Sequence, residues 1–178
     1  MLLIAGCAIK PRGEITVSSL KSEIFINFSG DNYKFKKKAL IAVKSPDKIR
    51  FEIKGFWNEP FFIFVYNNRN TKIYFVGENA CYDGEIFEKD FNPVELFFGI
   101  NLENTGIKVN YSNYEIISGI NLPLKIEGVF NNNKIQFKYI NPLLNIDISD
   151  KMFEFVAPAS AKIISKEDMV NIIKKWSR

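Results

Sequence analysis

The chain has 178 residues, of which 47% are hydrophobic and 25% charged, and this predicts one folded domain with a substantial core. Its net charge is only +4 and the basic residues are spread along the chain, so nucleic-acid binding is not expected. Lysines 34, 36, 37 and 38 form one local run, which we interpret as a solvated strand edge. Histidine is absent, which excludes Ser-His-Asp and Cys-His nucleophiles and removes the commonest metal ligand. We therefore expect no catalytic residues, no metal site and no cofactor.

The N-terminal segment leads to a cysteine through Ile4-Ala5-Gly6-Cys7. An aliphatic residue, two small residues and a cysteine resemble the lipobox of bacterial lipoproteins, in which the cysteine is acylated. Residues 1–6 are too short for a complete signal peptide, so we interpret them as its remnant, residues 7–20 as the lipidated N-terminus and tether, and residues 21–178 as the domain. Cys7 would then hold the chain to a membrane by lipid alone. The alternative is an ordinary apolar segment with a buried thiol.

The first half of the domain is a succession of predicted strands. Residues 11–20 are ambiguous, with a short helix at about 17–21 as one option, and alternating apolar positions follow at Ile24, Ile26 and Phe28. A long second strand is expected at 33–43 and a further one at 71–76, with Asn- and Gly-containing turns between the strands. This spacing predicts a meander in which each strand pairs with its neighbour in sequence.

Residues 45–66 form the central hairpin of this meander. Phe51 and Ile53 alternate with charged residues on the first strand, and residues 61–66 are apolar on both faces. The turn between them contains Phe56 and Trp57, where polar residues are usual. Two interpretations remain open: the turn is exposed and contacts a membrane, or it folds back onto the sheet as core.

The second half begins with a short helix. Asn92 is the expected N-cap, Pro93 the first helical residue and Gly99 the stop. Strands follow between about residues 108 and 148, and Phe153 and Phe155 are expected to form a last strand.

The C-terminus predicts an amphipathic helix. Ser165 and Asp168 have the spacing of a capping box. The apolar positions that follow lie at helical spacing on one side: Met169, Ile172, Ile173 and Trp176. We expect this stripe to pack on the sheet, with a functional lid as the less favoured interpretation.

Together these elements predict an α+β fold: a strongly curved antiparallel sheet that forms a half-open β-barrel, with short helices as lid or plug. Strands that are apolar on both faces suggest an apolar cavity, because a barrel of about eight or more strands can enclose a small ligand. The candidate cavity-lining residues are Phe51, Ile53, Phe62, Phe64, Phe75, Phe97 and Phe137. A fully side-chain-filled core is the alternative.

Two motifs carry a resemblance to a known family. Pro46-x-x-x-Arg50 is similar to a strand motif, and residues 153–159, with Phe153 and Pro158, to a Phe-x-x-x-x-Pro ending. The lipobox, the curved meander, the capped helix and these two motifs follow one another along the chain in an order that resembles the LolA/LolB superfamily of periplasmic lipoprotein carriers and outer-membrane lipoprotein receptors. The long N-terminal helix of that family is shortened or absent here.

The resemblance implies a half-open barrel whose apolar lumen, lidded by helices, shelters acyl chains of a lipoprotein or lipid. In the receptor branch a loop carries an exposed apolar residue that helps to place the cargo, and Phe56 and Trp57 occupy the matching turn. Cys7 favours the receptor branch, and Ala8 is similar to an outer-membrane sorting signal. The expected location is therefore the periplasmic face of the outer membrane, lipid-anchored, with a periplasmic carrier protein as partner.

Three functions follow from these patterns. The first is a lipid- or lipoprotein-binding receptor that helps to deliver its cargo to the membrane. The second is a structural or assembly lipoprotein of the cell envelope, with a filled core and a protein partner. The third is a carboxylate-based hydrolase, for which Asp83 and Glu85 are an alternating pair, although an exposed strand explains them equally well.

Overall fold

A computed structural model describes residues 16–30, 34–55, 59–89, 91–100, 108–130 and 133–176. Ten strands, two α-helices and one short 3₁₀ helix lie within these ranges. The strands are β1 (Ser19–Ser29), β2 (Lys34–Lys44), β3 (Lys48–Lys54), β4 (Pro60–Asn67), β5 (Asn70–Phe75), β6 (Ala80–Gly84), β7 (Lys108–Ile117), β8 (Ile120–Phe130), β9 (Asn133–Leu144) and β10 (Lys162–Ile163). The helices are α1 (Pro93–Phe98) and α2 (Lys166–Trp176), and the 3₁₀ helix is Asp150–Phe153.

All ten strands belong to one curved, unclosed sheet with the order β10-β6-β5-β4-β3-β2-β1-β9-β8-β7. The predicted meander is confirmed for β1 to β6, since each strand pairs with the next in antiparallel register. β9 then returns to pair with β1, which brings the second set of strands beside the first. The sheet is antiparallel except at one edge, where β10 runs parallel to β6.

Two sequence-based expectations for single elements are wrong. Residues 17–21 do not form a helix: β1 begins at Ser19, within the range 7–20 expected to be tether. Phe153 and Phe155 do not form a strand either, because Phe153 ends the 3₁₀ helix and the chain then runs extended without a ladder partner. At both places the local pattern was too short to identify the element, and tertiary contacts decided it.

One face of the sheet, which we call the helix face, carries both α-helices. Its main core combines alternating residues of β1, β2, β3, β8 and β9 with Val94 and Phe97 of α1. A second cluster combines β5 and β6 with Met169 and Ile172 of α2. Since successive residues of a strand point to opposite sides, the alternate residues of each strand belong to the other face.

The opposite face is partly covered by residues 145–161, which we call the C-terminal strap. Ile148 and Phe153 pack with Ala42 of β2, and further along Phe155 packs with Tyr74 of β5, with ring centroids 5.6 Å apart. The strap then crosses the sheet edge as β10 and continues into α2 on the helix face. β5 is therefore buried on both faces, whereas β4 is buried on the side of the strap and only half-buried at Phe62 and Phe64 on the helix face. Contacts on both sides of these strands explain why their sequences are apolar on both faces.

Arg50 fixes the strap to the sheet. Its guanidinium pairs with Glu52 and donates to the carbonyl oxygen of Met152 at 3.0 Å. The two motifs of the family resemblance therefore meet in space, because Arg50 belongs to one and Phe153, next to Met152, begins the other. A second anchor is Asp150, whose pKa is lowered by hydrogen bonds from Lys44 and Lys48.

Replacing Arg50 by alanine is expected to lower the free energy of unfolding by about 1–2 kcal/mol, because it removes a charged hydrogen bond to a partly buried carbonyl. It should also speed tryptic cleavage after Lys151, which lies in the strap segment that Arg50 holds. Arg50→Lys keeps the positive charge but loses the planar guanidinium, which can bond to Glu52 and Met152 at once. We therefore expect an intermediate loss of stability and an intermediate rate of cleavage. Cleavage of Arg50→Ala at the wild-type rate would contradict this role.

Candidate functional site

A continuous row of mostly apolar side chains crosses the helix face from β9 to β6. The strand registers place the following residues side by side: Tyr139, Ile24, Ala39, Ile53, Phe62, Phe75 and Ala80. Phe51 and Phe64 are direct partners in a neighbouring row. The seven candidate cavity residues therefore all belong to the helix side of the sheet, six on strands and Phe97 on α1.

These residues are not equally open to a ligand. Four are covered by protein, with exposed fractions of 7% for Ile53, 0% for Phe75, 7% for Phe97 and 9% for Phe137. The other three candidates, Phe51, Phe62 and Phe64, are only half-buried. We call these three the central aromatic patch.

At the α1 end, the helix face is covered by α1, and hydrogen bonds tie this helix to the rest of the fold. Phe97 stacks edge-on against Phe137, with ring centroids 5.4 Å apart. At its N-terminus α1 is capped by Asn92, whose side-chain oxygen accepts from the Val94 amide at 3.1 Å. The Asn92 amide nitrogen also donates to the carbonyl oxygen of Pro46, which ties the cap to the central hairpin. The predicted cap is thus confirmed.

The C-terminus of α1 is fixed by glycine and two tyrosines. Gly99 adopts a φ of +78°, and a Cβ there would lie 2.9 Å from Pro123, so only glycine fits without a shift. The Tyr139 hydroxyl donates to the carbonyl oxygen of Phe97 at 2.8 Å, and the Tyr111 hydroxyl donates to that of Ile100 at 2.8 Å. These bonds satisfy carbonyls that a helix end leaves free.

Burial raises the pKa of both tyrosines, that of Tyr111 to about 12 and that of Tyr139 well above its usual range. A raised folded-state pKa means that the unfolded chain ionises first, at about pH 10. We therefore expect stability to be retained below about pH 10 and to fall as the pH rises toward about 12. Tyr111→Phe should weaken this fall strongly, and Tyr114→Phe should weaken it less, because Tyr114 is exposed and its charge is a smaller cause of the raised pKa of Tyr111 than burial is. Urea unfolding at about pH 8 and about pH 11 measures the difference.

The α2 end is covered more loosely. Met169 is buried against β5 and β6, but Val170 and Ile173 of the same helix are 38% and 43% exposed. The capping box is confirmed, because the Asp168 amide donates to the Ser165 hydroxyl at 3.1 Å while Ser165 donates to the Asp168 carboxylate. A groove of about 530 Å³ lies between α2 and the β6 edge.

The central aromatic patch lies between these two covered ends and beside the central hairpin turn. Phe62 contacts Phe51 and Phe75 in edge-to-face geometry, with ring centroids 6.2 and 5.6 Å apart. Its cross-strand partner Ile53 is separated from Gly55, where the turn begins, by a single residue. This is an apolar surface that can hold hydrocarbon by area burial.

Several predicted features lie outside the described residues. These are the lipobox with Cys7 and the turn residues Phe56 and Trp57, so their roles stay predictions. The second cysteine, Cys81, is a free thiol that is buried beneath the strap, and burial raises its pKa.

The candidate carboxylate Asp83 lies on β6. Asp83 accepts a hydrogen bond from Asn70 at 2.7 Å and pairs with Lys72 at 3.3 Å, so its contacts are those of a surface strand. Across the described part of the chain, no group of three or more His, Cys, Asp or Glu residues could hold a metal ion.

Sequence reasoning missed Phe87 as part of this site. Its ring packs against Tyr66 at 5.6 Å and against Phe64 at 6.5 Å, so it borders the central aromatic patch from the segment between β6 and α1. The signal was available, because Phe87 and Phe91 are aromatic residues in a segment with no strand or helix period. The roles of Tyr111 and Tyr139 had no such signal, since they depend on contacts with α1 across the fold.

Comparison with known proteins identifies the fold. No family model and no curated protein matches the sequence. A solved LolA superfamily protein from Nitrosomonas europaea is similar with a TM-score of 0.55 and 10% identity, over 78% of this chain and 90% of that one. Two others score lower: an uncharacterized protein from Thermus thermophilus (0.49, 9% identity, 83% and 90% covered) and a DUF1329 family protein from Desulfovibrio piger (0.45, 10% identity, 79% and 91% covered).

Among the described residues, no helix is both long and apolar enough to cross a membrane. The structural agreement with the Nitrosomonas protein extends over most of both chains, although the sequence identity is only 10%. The chain therefore has the fold of a LolA superfamily protein, and at the level of fold this confirms the resemblance inferred from its sequence.

Proposed function

We propose that this protein binds acyl chains of lipoproteins or lipids on the helix face and helps to deliver them to the outer membrane. The observation that carries the proposal is the central aromatic patch: Phe51, Phe62 and Phe64 remain half-buried between two helices on a curved, unclosed sheet. The fold of a LolA superfamily protein supports the same class of ligand. The role is binding and transport, without catalysis.

In this proposal the two helices have different roles. α1 is a fixed plug, because hydrogen bonds tie both of its ends to the sheet. α2 is the displaceable lid, because a narrow stripe around Met169 holds it and apolar residues on its other sides stay exposed. Outward movement of α2 would enlarge the central aromatic patch by uncovering Phe75.

The proposed location is the periplasmic face of the outer membrane, with Cys7 as the lipid anchor and a periplasmic carrier protein as the source of cargo. Burying an acyl chain yields about 0.8 kcal/mol per methylene, or roughly 12 kcal/mol for sixteen carbons. One buried Phe or Trp side chain yields only about 1.5–3 kcal/mol. Phe56 and Trp57 are therefore proposed as a local path between the site and the bilayer, while the lipid on Cys7 anchors the protein to the membrane.

Mass spectrometry of lipids that co-purify with the untagged protein tests the proposed ligand directly. We expect acyl chains in a fixed ratio to protein, and their loss when an excess of competing fatty acid is added. Release should not require unfolding, which circular dichroism of the same sample checks. Recovery of no lipid, from folded protein, would argue against the binding function.

Replacing Trp57 by serine tests the turn. We expect the variant to fold and to localise as the wild type does but to transfer cargo to acceptor vesicles at least about tenfold more slowly, because an apolar contact with the bilayer is lost. Transfer of a fluorescent acyl chain measures this. Unfolding of the variant would show instead that Trp57 belongs to the core.

A second function is favoured by the closed parts of the helix face. Since Phe75, Phe97 and Phe137 are already covered by protein, the same fold also suits a structural or assembly lipoprotein with a filled core. That function requires a protein partner and no lipid cargo. Cross-linking in intact cells, together with an empty lipid profile, would favour it over the binding function.

A further inference from the structure

Six lysines collect on the side of the sheet opposite the helices, beyond the area that the strap covers. They come from three strands, which lie on either side of β1, and are Lys34, Lys36 and Lys38 of β2, Lys134 and Lys138 of β9 and Lys125 of β8. Two glutamates, Glu23 and Glu127, lie on the same surface. We call this surface the basic face.

An exposed aromatic ring lies at the centre of the basic face. The strand registers place Lys125, Lys138, Phe25 and Lys38 in one row across β8, β9, β1 and β2. Phe25 is 38% exposed, and the Lys36 ammonium lies 5.3 Å from the centroid of its ring. Lys38 and Lys138 are the direct cross-strand neighbours of Phe25, on strands about 4.8 Å away on either side.

The two carboxylates do not neutralise this surface. Glu23 pairs with Lys38, and Glu127 pairs with Lys134 at 2.8 Å and with Lys125 at 3.6 Å. Lys36 and Lys138 form no ion pair with a carboxylate in the described ranges, and both are exposed. The positive charge is therefore in excess around Phe25.

A groove with both polar and apolar lining residues opens beside these cations. β8 pairs with β9 only as far as Lys125 and Lys138, and beyond that point the two strands separate. The resulting groove has a volume of about 510 Å³, and its lining includes Phe25, Lys138, Leu124 and Ile140, with Glu115 as its acidic member. Cationic and apolar groups thus meet along one border of the basic face.

We propose that the basic face docks on the surface of a bilayer that contains anionic phospholipid. The lysines would face the headgroup phosphates, and Phe25 with the adjacent groove would meet the apolar layer beneath. Protein interfaces are depleted in lysine and enriched in arginine, and every cation that the described strands place on this surface is a lysine. A nucleic acid would use the charge but leave the groove without a partner. The proposal does not depend on the helix-face ligand, because the two surfaces are on opposite sides of the sheet.

Co-sedimentation with vesicles tests this docking, using the full chain with Cys7→Ser so that no lipid anchor is attached. We expect binding to vesicles of phosphatidylcholine mixed with phosphatidylglycerol, little binding to phosphatidylcholine alone, and release as salt is raised. Lys36→Glu with Lys138→Glu should weaken binding about thirtyfold or more. Lys89→Glu with Lys166→Glu, which changes the net charge equally at exposed sites elsewhere, should have little effect.

The outcomes separate docking from net charge and from other polyanions. The proposal would be overturned if the two glutamate double variants lost vesicle binding equally. It would also be overturned if the protein bound equally to vesicles with and without phosphatidylglycerol. Tighter binding to duplex DNA than to the anionic vesicles at the same salt would also overturn it. If circular dichroism shows that the Lys36→Glu, Lys138→Glu variant is unfolded, the variant with Lys36→Gln and Lys138→Gln is tested instead. Unchanged vesicle binding by that variant would argue against docking through the basic face.

Discussion

Replacing Phe75 by alanine is expected to lower the free energy of unfolding by about 3–5 kcal/mol, because the side chain is fully buried and the substitution leaves a cavity. Phe75 lies where β5, β6 and α2 meet, in contact with the ring of Phe62 and in the same cluster as Met169. Its loss should therefore loosen α2 as well as the sheet. Urea unfolding followed by circular dichroism measures the change.

Phe25→Ala is the matched control for this prediction. It removes the same number of atoms from a ring that is already 38% exposed, so the expected loss is below about 1 kcal/mol. A similar loss for both variants would contradict the assignment of Phe75 to the core of the α2 end.

Replacing Phe51 by glutamine is expected to reduce the amount of bound acyl chain at least about tenfold, because an amide in an apolar site costs about 1–3 kcal/mol when no partner satisfies it. Phe51 is half-buried and its ring faces Phe62 across the central aromatic patch. The free energy of unfolding should fall by only about 1–2 kcal/mol, since part of the ring is exposed in the wild type. The measurement is the molar ratio of co-purified acyl chains to folded protein.

Ile116→Gln controls for a general loss of surface hydrophobicity. Ile116 lies on β7 and is 74% exposed, away from the central aromatic patch. We expect this variant to keep its bound lipid. Equal retention by Phe51→Gln would place the lipid elsewhere, and the groove at the β8–β9 separation would become the next site to test.

Local chemistry predicted much of the fold. α1 was identified by Asn92 and Gly99, and α2 by the capping box at Ser165 and Asp168, because caps act within one turn of chain. The strands from β2 to β5 followed from alternation and turn residues, which are also local signals. The three residues of the central aromatic patch were among the sequence candidates for the same reason.

Other features could not be obtained in this way. Phe153 and Phe155 alternate like strand residues, yet the chain there crosses the sheet as a strap held by Arg50, a contact between residues far apart in sequence. The basic residues appear scattered along the sequence, but the registers of four strands bring six lysines onto one face. Whether a predicted lining residue is open or covered likewise depended on where α1 and α2 rest.

The sequence by itself determined the class of fold, the strands of the central meander, both ends of α1 and the N-terminus of α2. The spacing of apolar residues and the helix caps are properties of a few adjacent residues. Only the tertiary structure decided that α1 is pinned by Tyr111 and Tyr139, that part of the apolar face is already filled, and that charge gathers around Phe25. These are consequences of long-range strand pairing, which fixes the face and the neighbours of every side chain and is not encoded in any single segment.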